Sequence, residues 1–511
     1  MPASPRVLVS MLPAALALAL ALALALGGCA VGPDFAVPPA PAGDTYTAGA
    51  QPRRTGAADA PDGHAQALLA GADVPAQWWT LFQSPALDRA IRAALDASPT
   101  LAQARARLEQ ARQDLSASTG ALLAPRVDAK LNTTREQVDL ASVGITAFPS
   151  PGPFTLYGAS VTVSYTLDLF GGARRELEGL RAAVDYQRFE LEAARLALAG
   201  NVATAAIREA SLRAQIADTE AIVRAQQQQL AITEQRHQAG GVAALDVRRQ
   251  RGELAQSQAL LPGLVQQLAA TRHQLAVYAG QPPASAGLPE FRLEDLTLPD
   301  TLPLTLPSAL ARRRPDIRAA EALLHQASAN IGVATAQRYP QLTLSGSAGT
   351  QAMSTRNLFD SFNVWSLAAG IVQPVFRGGE LVARKRSAEA AYEQSLAAYR
   401  QAVLSGLREV ADTLRALEAD ADALRARADS AREAAATLAV VREQYRLGGV
   451  SQLAVLDAER QDRQARLALA QARASRFSDS AALLQALGGG WWQEQATATG
   501  GASASAPQER P

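Results

Sequence analysis

The chain has 511 residues, and its 49 Lys and Arg against 48 Asp and Glu leave a net charge of +1, too little to draw it to nucleic acid. Hydrophobic residues make up 48% but aromatic ones only 5%, a balance that suits close-packed Ala and Leu helices rather than a thick aromatic core. The single cysteine excludes an internal disulfide and any cysteine metal cluster.

Taken in order, Arg6 precedes an apolar run, Val7 to Leu26, that closes on Leu26-Gly27-Gly28-Cys29. A charged start, an apolar centre and small residues at a cut site describe a secretory signal. The run also approaches the ~20 residues of a membrane span, so an uncleaved helix is the competing reading. The ending resembles the lipobox of a bacterial lipoprotein. That resemblance implies removal of residues 1–28 and a covalent lipid, palmitate included, on Cys29, which becomes the first residue. It also implies that Ala30, in place of an Asp, permits sorting to the outer membrane. Residues 29–75, rich in Pro, Gly, Ala, Asp and Thr without periodicity, read as an extended leader between lipid and body.

Order begins at Trp78-Trp79 and Leu81-Phe82. Leu87, Ile91 and Leu95, and after Ser98-Pro99 the residues Leu101, Leu108 and Leu115, follow at helical spacing to an end before Pro125. The period then changes to two. Val127, Ala129 and Leu131 alternate with Arg126, Asp128, Lys130 and Asn132, and the odd positions from Tyr157 to Leu169 are apolar against Ser160, Thr162, Ser164, Thr166 and Asp168. Pro149, Pro151, Gly152 and Pro153 between them predict the loop of a long hairpin.

From Arg174 to Gly241 the chain is proline-free, with Leu177, Val184, Leu191, Leu198, Ala205 and Leu212 at every seventh residue, the seam of a coiled-coil helix about 100 Å long. It breaks at Gly240-Gly241. The pattern then recurs. Leu342 and Leu344 alternate with Gln341, Thr343, Ser345 and Ser347, and, more weakly, Trp365, Leu367, Ala369 and Ile371 alternate with Ser366, Ala368 and Gly370. A second rod runs from Glu380 to Gly449 with Leu396, Val403, Val410, Leu417, Leu424, Ala431, Leu438 and Tyr445 in the seam. Both the glycine pairs and the later Gly280 and Gly488 are offset by 208 residues, so the chain is a duplication. This predicts one repeat at 76–286, a Pro- and Leu-rich connecting strap at 287–307, a second repeat at 308–490 and a disordered tail at 491–511.

The fold class expected is mainly α with a small antiparallel β part and two structural repeats. Each predicted strand has the length and alternation of a transmembrane barrel strand. Four strands cannot close a barrel, and open edges are not tolerated in hydrocarbon, so the chain must join copies of itself. Three copies supply about twelve strands and gather the long helices into a hollow cylinder.

The lipobox with Val31-Gly32-Pro33-Asp34-Phe35, Trp78-Trp79 with Phe82, the Phe-Gly-Gly entry to the first rod and the repeat together resemble the outer-membrane factors of bacterial tripartite efflux systems, TolC-like channels of the NodT/OprM-like lipoprotein branch. The resemblance implies a homotrimer whose 12-stranded β-barrel is continuous with a periplasmic α-helical barrel. Its partners would be a periplasmic membrane-fusion adaptor and an inner-membrane transporter of RND or similar type. It implies a passive duct for small molecules such as drugs, lipid-anchored in the outer membrane, with no cofactor beyond the lipid. It places Gly240, Gly241, Val242 and Leu245, with Leu447, Gly448, Gly449, Val450 and Leu453, at a periplasmic tip where the adaptor docks. It places Asp246 and Tyr445 in a latch of the closed tip, and Asp457 in an acidic ring at the constriction. Ala454 stands where a second acidic ring is expected, and Val450 where some members carry a latch arginine.

An enzyme is not expected. His64, His237, His273 and His325 are scattered and lack HExxH spacing, no GxxxxGK[ST] or GxSxG motif occurs, and Gly346 to Gly349 reads as a small-residue strand. The competing function is a lipid-anchored periplasmic coiled-coil protein, structural or adaptor-like, without a barrel. Two hairpins at equivalent places of a duplicated chain argue against it.

Overall fold

The computed structural model describes residues 30–39, 43–48, 53–137, 139, 144, 147, 149, 152–285, 287–360 and 364–493. Residues 1–28 and Cys29, most of 138–151 and residues 494–511 lie outside these. The elements are β1 (Ala67–Ala70), α1 (Pro85–Ala97), α2 (Pro99–Leu123), β2 (Arg126–Glu136), β3 (Phe154–Leu167), α3 (Gly172–Gln238), α4 (Ala244–Tyr278), β4 (Thr301–Leu304), α5 (Pro307–Arg313), α6 (Pro315–Ala336), β5 (Gln341–Ala352), β6 (Val364–Val372), α7 (Glu380–Arg446) and α8 (Gln452–Ala486). The duplication is plain in the lengths. α3 and α7 each have 67 residues, and α4 and α8 each have 35.

The chain folds into two compact units. One comprises the described residues up to Val37 with 108–186 and 320–399, the other 38–107, 187–319 and the described residues from 400 on.

In the first unit β2, β3, β5 and β6 form one antiparallel sheet in that order. The second strand stops earlier than the alternation implies. Asp168, read as a strand residue, instead accepts the backbone N–H groups of Ala173 at 3.1 Å and Arg174 at 2.9 Å. A carboxylate there satisfies donors at the head of α3 that have no partner in the helix, and it complements the positive end of the helix dipole.

In the second unit the helices start where the local chemistry predicts. Pro85 opens α1 and the Ser84 hydroxyl accepts from the Leu87 N–H. Phe82, Leu87, Ile91, Phe291, Leu293, Leu298, Leu302, Phe477, Leu483 and Leu484 are fully buried and form its core. Of the heptad positions, Leu191, Leu198, Ala205 and Leu212 are buried on α3, as are Val410, Leu417 and Leu424 on α7.

Three boundaries differ from the sequence reading. The leader is not merely an extended spacer throughout. β1 pairs in parallel with β4, the Thr55 N–H donates to the Gln66 carbonyl at 2.9 Å, and Gln66 donates through Nε2 to Pro299 O and Ser480 Oγ. The strap is part of the same packed layer, with the Thr297 N–H donating to Phe82 O. Order also extends past 490. Trp491 donates to Arg313 O at 2.7 Å and packs edge-on to Phe189, and the Arg313 guanidinium lies over the Trp492 ring. These segments are held by backbone bonds and single anchors, which leave no periodic signature.

Across α7 and α8, Asp420 and Asp479 share a hydrogen bond. Burial, then the neighbouring Asp420 carboxylate, push Asp479 up to about 7. The folded-state value lies above the unfolded one, so the associated stability is complete at low pH and is lost as pH rises from about 4 through about 7. Asp479→Asn should therefore raise the melting temperature at pH 8 and flatten its dependence between these limits. The gain should be about 2 kcal/mol, half the full linkage value because solvent partly reaches both groups. Thermal unfolding of wild type and variant across that range checks it.

Candidate functional site

The sheet has two chemically distinct faces, and the register fixes both. On one face Ala129, Val161, Ala348 and Trp365 align across the four strands, and beside them Val127, Val163, Gly346 and Leu367. On the other, Asp128, Thr162, Ser347 and Ser366 align. Hydroxyls bridge the strands on this face, Ser347 to Ser366 at 2.8 Å and Thr166 to Thr343 at 3.2 Å. The apolar face is bare. Trp365 and Leu367 are 80% and 82% exposed, and Val127, Leu131, Val161 and Ile371 are exposed with them. An uncovered apolar band of this extent is a surface built for another apolar phase. The strands have 11, 14, 12 and 9 residues, enough to cross a bilayer core when tilted. Among the described residues β2 and β6 each have a single partner and an open edge. Among the described residues no helix is long and apolar enough to cross a membrane.

The two glycine turns belong to the second unit. Gly240 and Gly448 have φ of +80° and +82°, the left-handed conformation that reverses a helix. In the first turn the N–H of Gly240 donates to His237 O at 2.9 Å and that of Gly241 to Arg236 O at 2.8 Å; in the second, Gly448 donates to Tyr445 O and Gly449 to Gln444 O. Both are Schellman caps, in which the orphan carbonyls of the last helical turn are satisfied by the chain leaving it. No atom would meet a side chain at Gly240 or Gly448, and Leu245, Leu447 and Leu453 beside them are 55%, 70% and 48% exposed. Val242 and Val450 are half-buried.

Among the described residues of the single chain no hydrogen bond joins the expected latch residues Asp246 and Tyr445. The Asp246 side chain has no hydrogen-bond or ion-pair partner among the described residues. The Arg236 guanidinium lies over the Tyr445 ring, 5.6 Å from its centre. Asp457 accepts from Arg460 at 2.5 Å in an exposed pair that solvent screens, so the carboxylate keeps its charge toward the surroundings. Cys29, the expected lipid site, lies outside the described residues.

Sequence reasoning missed the ion pairs that staple each hairpin. Arg251 donates to Glu234 at 2.7 Å, and Arg442 to Glu459 at 2.9 Å, each pair 17 residues apart and straddling its glycines. The polarity is reversed between repeats. Opposite charges at equal spacing around both glycine pairs were the available signal. The two staples differ in burial: Glu459 is 4% exposed and Glu234 36%. Losing Arg442 strands a buried carboxylate, whereas losing Arg251 frees a solvated one. Arg442→Ala should therefore cost about 2 kcal/mol and Arg251→Ala under about 1 kcal/mol. Amide exchange across the two turns checks this, with the double reversal Arg442→Glu, Glu459→Arg restoring part of the loss.

The duplicated long hairpins and the two-faced sheet define an outer-membrane channel protein. A family model described as "Outer membrane efflux protein" matches residues 90–281 and 306–489, and the chain belongs to that family. It is 34% identical over 429 residues to the pyoverdine export outer membrane protein OpmQ of Pseudomonas putida, covering 82% of this chain and 89% of that protein. To the toluene efflux pump outer membrane protein TtgI of Pseudomonas putida it is 30% identical, covering 91% of this chain and 96% of the relative. Among solved structures it superposes on the outer-membrane channel OprN with a TM-score of 0.81 at 28% identity, over 91% of this chain and all of that one. The open state of the Neisseria gonorrhoeae MtrE outer membrane channel gives 0.77 at 27% identity, over 91% and 99%. The chain is thus an efflux channel of the outer membrane.

Proposed function

We propose that three copies of this chain close into one conduit, the duct of a tripartite efflux system. The observation that carries this reading is the four-stranded sheet with an apolar face continuous across every strand and an unpaired edge at each side. In lipid each unpaired edge group costs several kcal/mol, so β2 of one copy pairs with β6 of the next. Closure at three copies gives about twelve strands, within the range of known barrels. The polar face, with its cross-strand hydroxyls, then lines a wet lumen.

The two glycine turns are the docking points for a periplasmic adaptor that connects the duct to an inner-membrane transporter. Their bare backbones and exposed leucines support this, since glycine lets a partner backbone approach closely. Asp246 and Tyr445 latch the tip, and Asp457 contributes to an acidic ring that favours cations. A covalent lipid on Cys29 anchors the chain. The cargo is small organic molecules, the class to which the pyoverdine and toluene named for the relatives belong.

Purified protein is expected to run on unheated gels at the mass of three chains and to collapse to one on heating. In planar bilayers it is expected to conduct, with larger steps after Asp246→Ala and Tyr445→Phe. No conductance in any of these forms would overturn the duct and favour the lipid-anchored periplasmic coiled coil.

A further inference from the structure

We propose that Val31 to Phe35 form a lock that fixes where the lipid anchor leaves the protein, tying it to the junction between β3 and α3. The inference rests on the lipid-anchor reading of Cys29 given above. The lock is built from backbone fit and one buried cation. The Val31 N–H donates to Phe170 O at 3.0 Å, and Arg175, at the head of α3, donates to Val31 O and Gly32 O at 3.3 and 3.4 Å. Arg175 also reaches Asp34 at 2.7 Å and Glu178 at 2.8 Å. The other Glu178 oxygen accepts from His325 Nε2 at 2.9 Å, and the His325 ring stacks on Phe35 with centres 4.3 Å apart and planes 12° from parallel. Arg175, Glu178 and His325 thus grip both ends of the five-residue segment.

Three glycines allow the approach. A Cβ on Gly32 would lie 2.5 Å from the Cα of Gly332, and Gly32 has φ of +100°. A Cβ on Gly332 would lie 2.7 Å from the Arg175 side chain, and one on Gly171 2.5 Å from the Cα of Ala30. Close backbone contact of this kind is available to no other residue type. A segment acting only as a spacer needs neither three glycines nor a buried arginine.

The magnitudes show which contacts matter. The Asp34 carboxylate is 95% exposed, so its ion pair contributes little. The Arg175 side chain is 6% exposed, and its bonds to Glu178 and the two carbonyls are where removal is costly. Burial pushes the Glu178 carboxyl up, but hydrogen bonds from Arg175 and His325 outweigh it and hold the group below its usual range, charged and ready to receive both donors. Ala30 lies against Gly171, just past the end of β3, and follows Cys29 in the chain, so a lipid on that cysteine would be tethered one residue from this contact. The short tether raises the effective concentration of the sheet at the bilayer, which a long loose leader would dilute.

The test uses the full-length chain expressed in an outer membrane. Three forms are compared with wild type: Gly32→Val, Arg175→Met, and a six-residue Gly-Ser insertion between Ala30 and Val31. The insertion leaves the processing site and the bonds that hold Val31 to Phe35 intact but frees Ala30, and the cysteine before it, from Gly171. The readouts are the mass of the N-terminal peptide, which reports lipid on Cys29, and the heat-modifiable fraction at fixed times after pulse labelling. The first two forms should carry lipid yet reach the assembled state about tenfold more slowly, the scale of one lost charge-assisted hydrogen bond. The insertion should slow assembly by a similar factor, which loss of stability would not explain because the lock remains docked. Wild-type assembly of the insertion form, or of both lock variants, would overturn the proposal. An N-terminal peptide without lipid in the wild type would overturn the anchor reading itself.

Discussion

An arginine at Val161 should abolish assembly of the channel, whereas an arginine at Thr162, the next residue, should leave it assembled. Val161 sits in β3, a central strand with partners on both sides, and aligns with Ala129, Ala348 and Trp365 on the bare apolar face. A cation facing the bilayer midplane from a barrel strand costs about 2 to 4 kcal/mol. The cost recurs in every copy of the chain, and the total is comparable with the stability of an ordinary domain. Thr162 points the other way, among Asp128, Ser347 and Ser366, with its hydroxyl donating to Asp128 O. A charge there meets water and should shift conductance toward anions without preventing assembly. The heat-modifiable fraction in outer membranes measures the first effect and reversal potentials in a salt gradient the second. Equal tolerance at both positions would mean that the apolar face does not meet lipid.

Arg476→Met should destabilise the second unit by about 3 kcal/mol and loosen residues 55–66. Arg476 is completely buried on α8 and holds that segment by four bonds, to Asp62 O at 2.7 Å, His64 O at 3.1 Å, Gln66 Oε1 at 3.2 Å and Thr55 Oγ1 at 3.3 Å. Methionine matches the length of the stem but leaves the carbonyls of Asp62 and His64 and the buried Gln66 Oε1 without this donor, while Thr55 Oγ1 keeps the Gln66 N–H. Arg473 is the control. Among the described residues it reaches only the Asp62 carboxylate, at 2.8 Å, and Arg473→Met should cost under about half as much because both partners retain some solvent. Thermal unfolding ranks the two variants, and amide exchange at Gln66, whose N–H donates to Thr55 Oγ1, reports whether the segment lifts first.

The long helices and the four strands were legible because each carries its own period. The seven-residue seam of α3 and α7 states which side of a helix is buried, and the two-residue alternation of β2 and β3 states which side of a strand is wet, without reference to any partner. The alternation was weaker in β5 and β6, where Gly346 and Ala369 stand at apolar positions, yet register with Val163 and Leu344 carries the face across them. Glycine pairs marked the turns because only glycine accepts the left-handed conformation at no cost. The environments of the latch residues were not legible. Nothing near Tyr445 in sequence announces that Arg236 lies on its ring, and nothing near Asp457 separates a bare charge from one paired with Arg460 one helical turn on.

The sequence by itself determined the duplication, the helix and strand inventory and the two-faced character of the strands. All are set by local period and residue conformational limits. Only the tertiary structure decided that the Pro- and Gly-rich leader is bolted down through Arg175 and Arg476, that Asp168 caps a helix, and that Glu459 is buried while Glu234 is not. The physical reason is that a charged side chain's partner, and its access to water, depend on what another part of the chain brings to it. Arg476 and Thr55 are 421 residues apart and Arg175 and Val31 144, distances over which no periodicity in the sequence can speak.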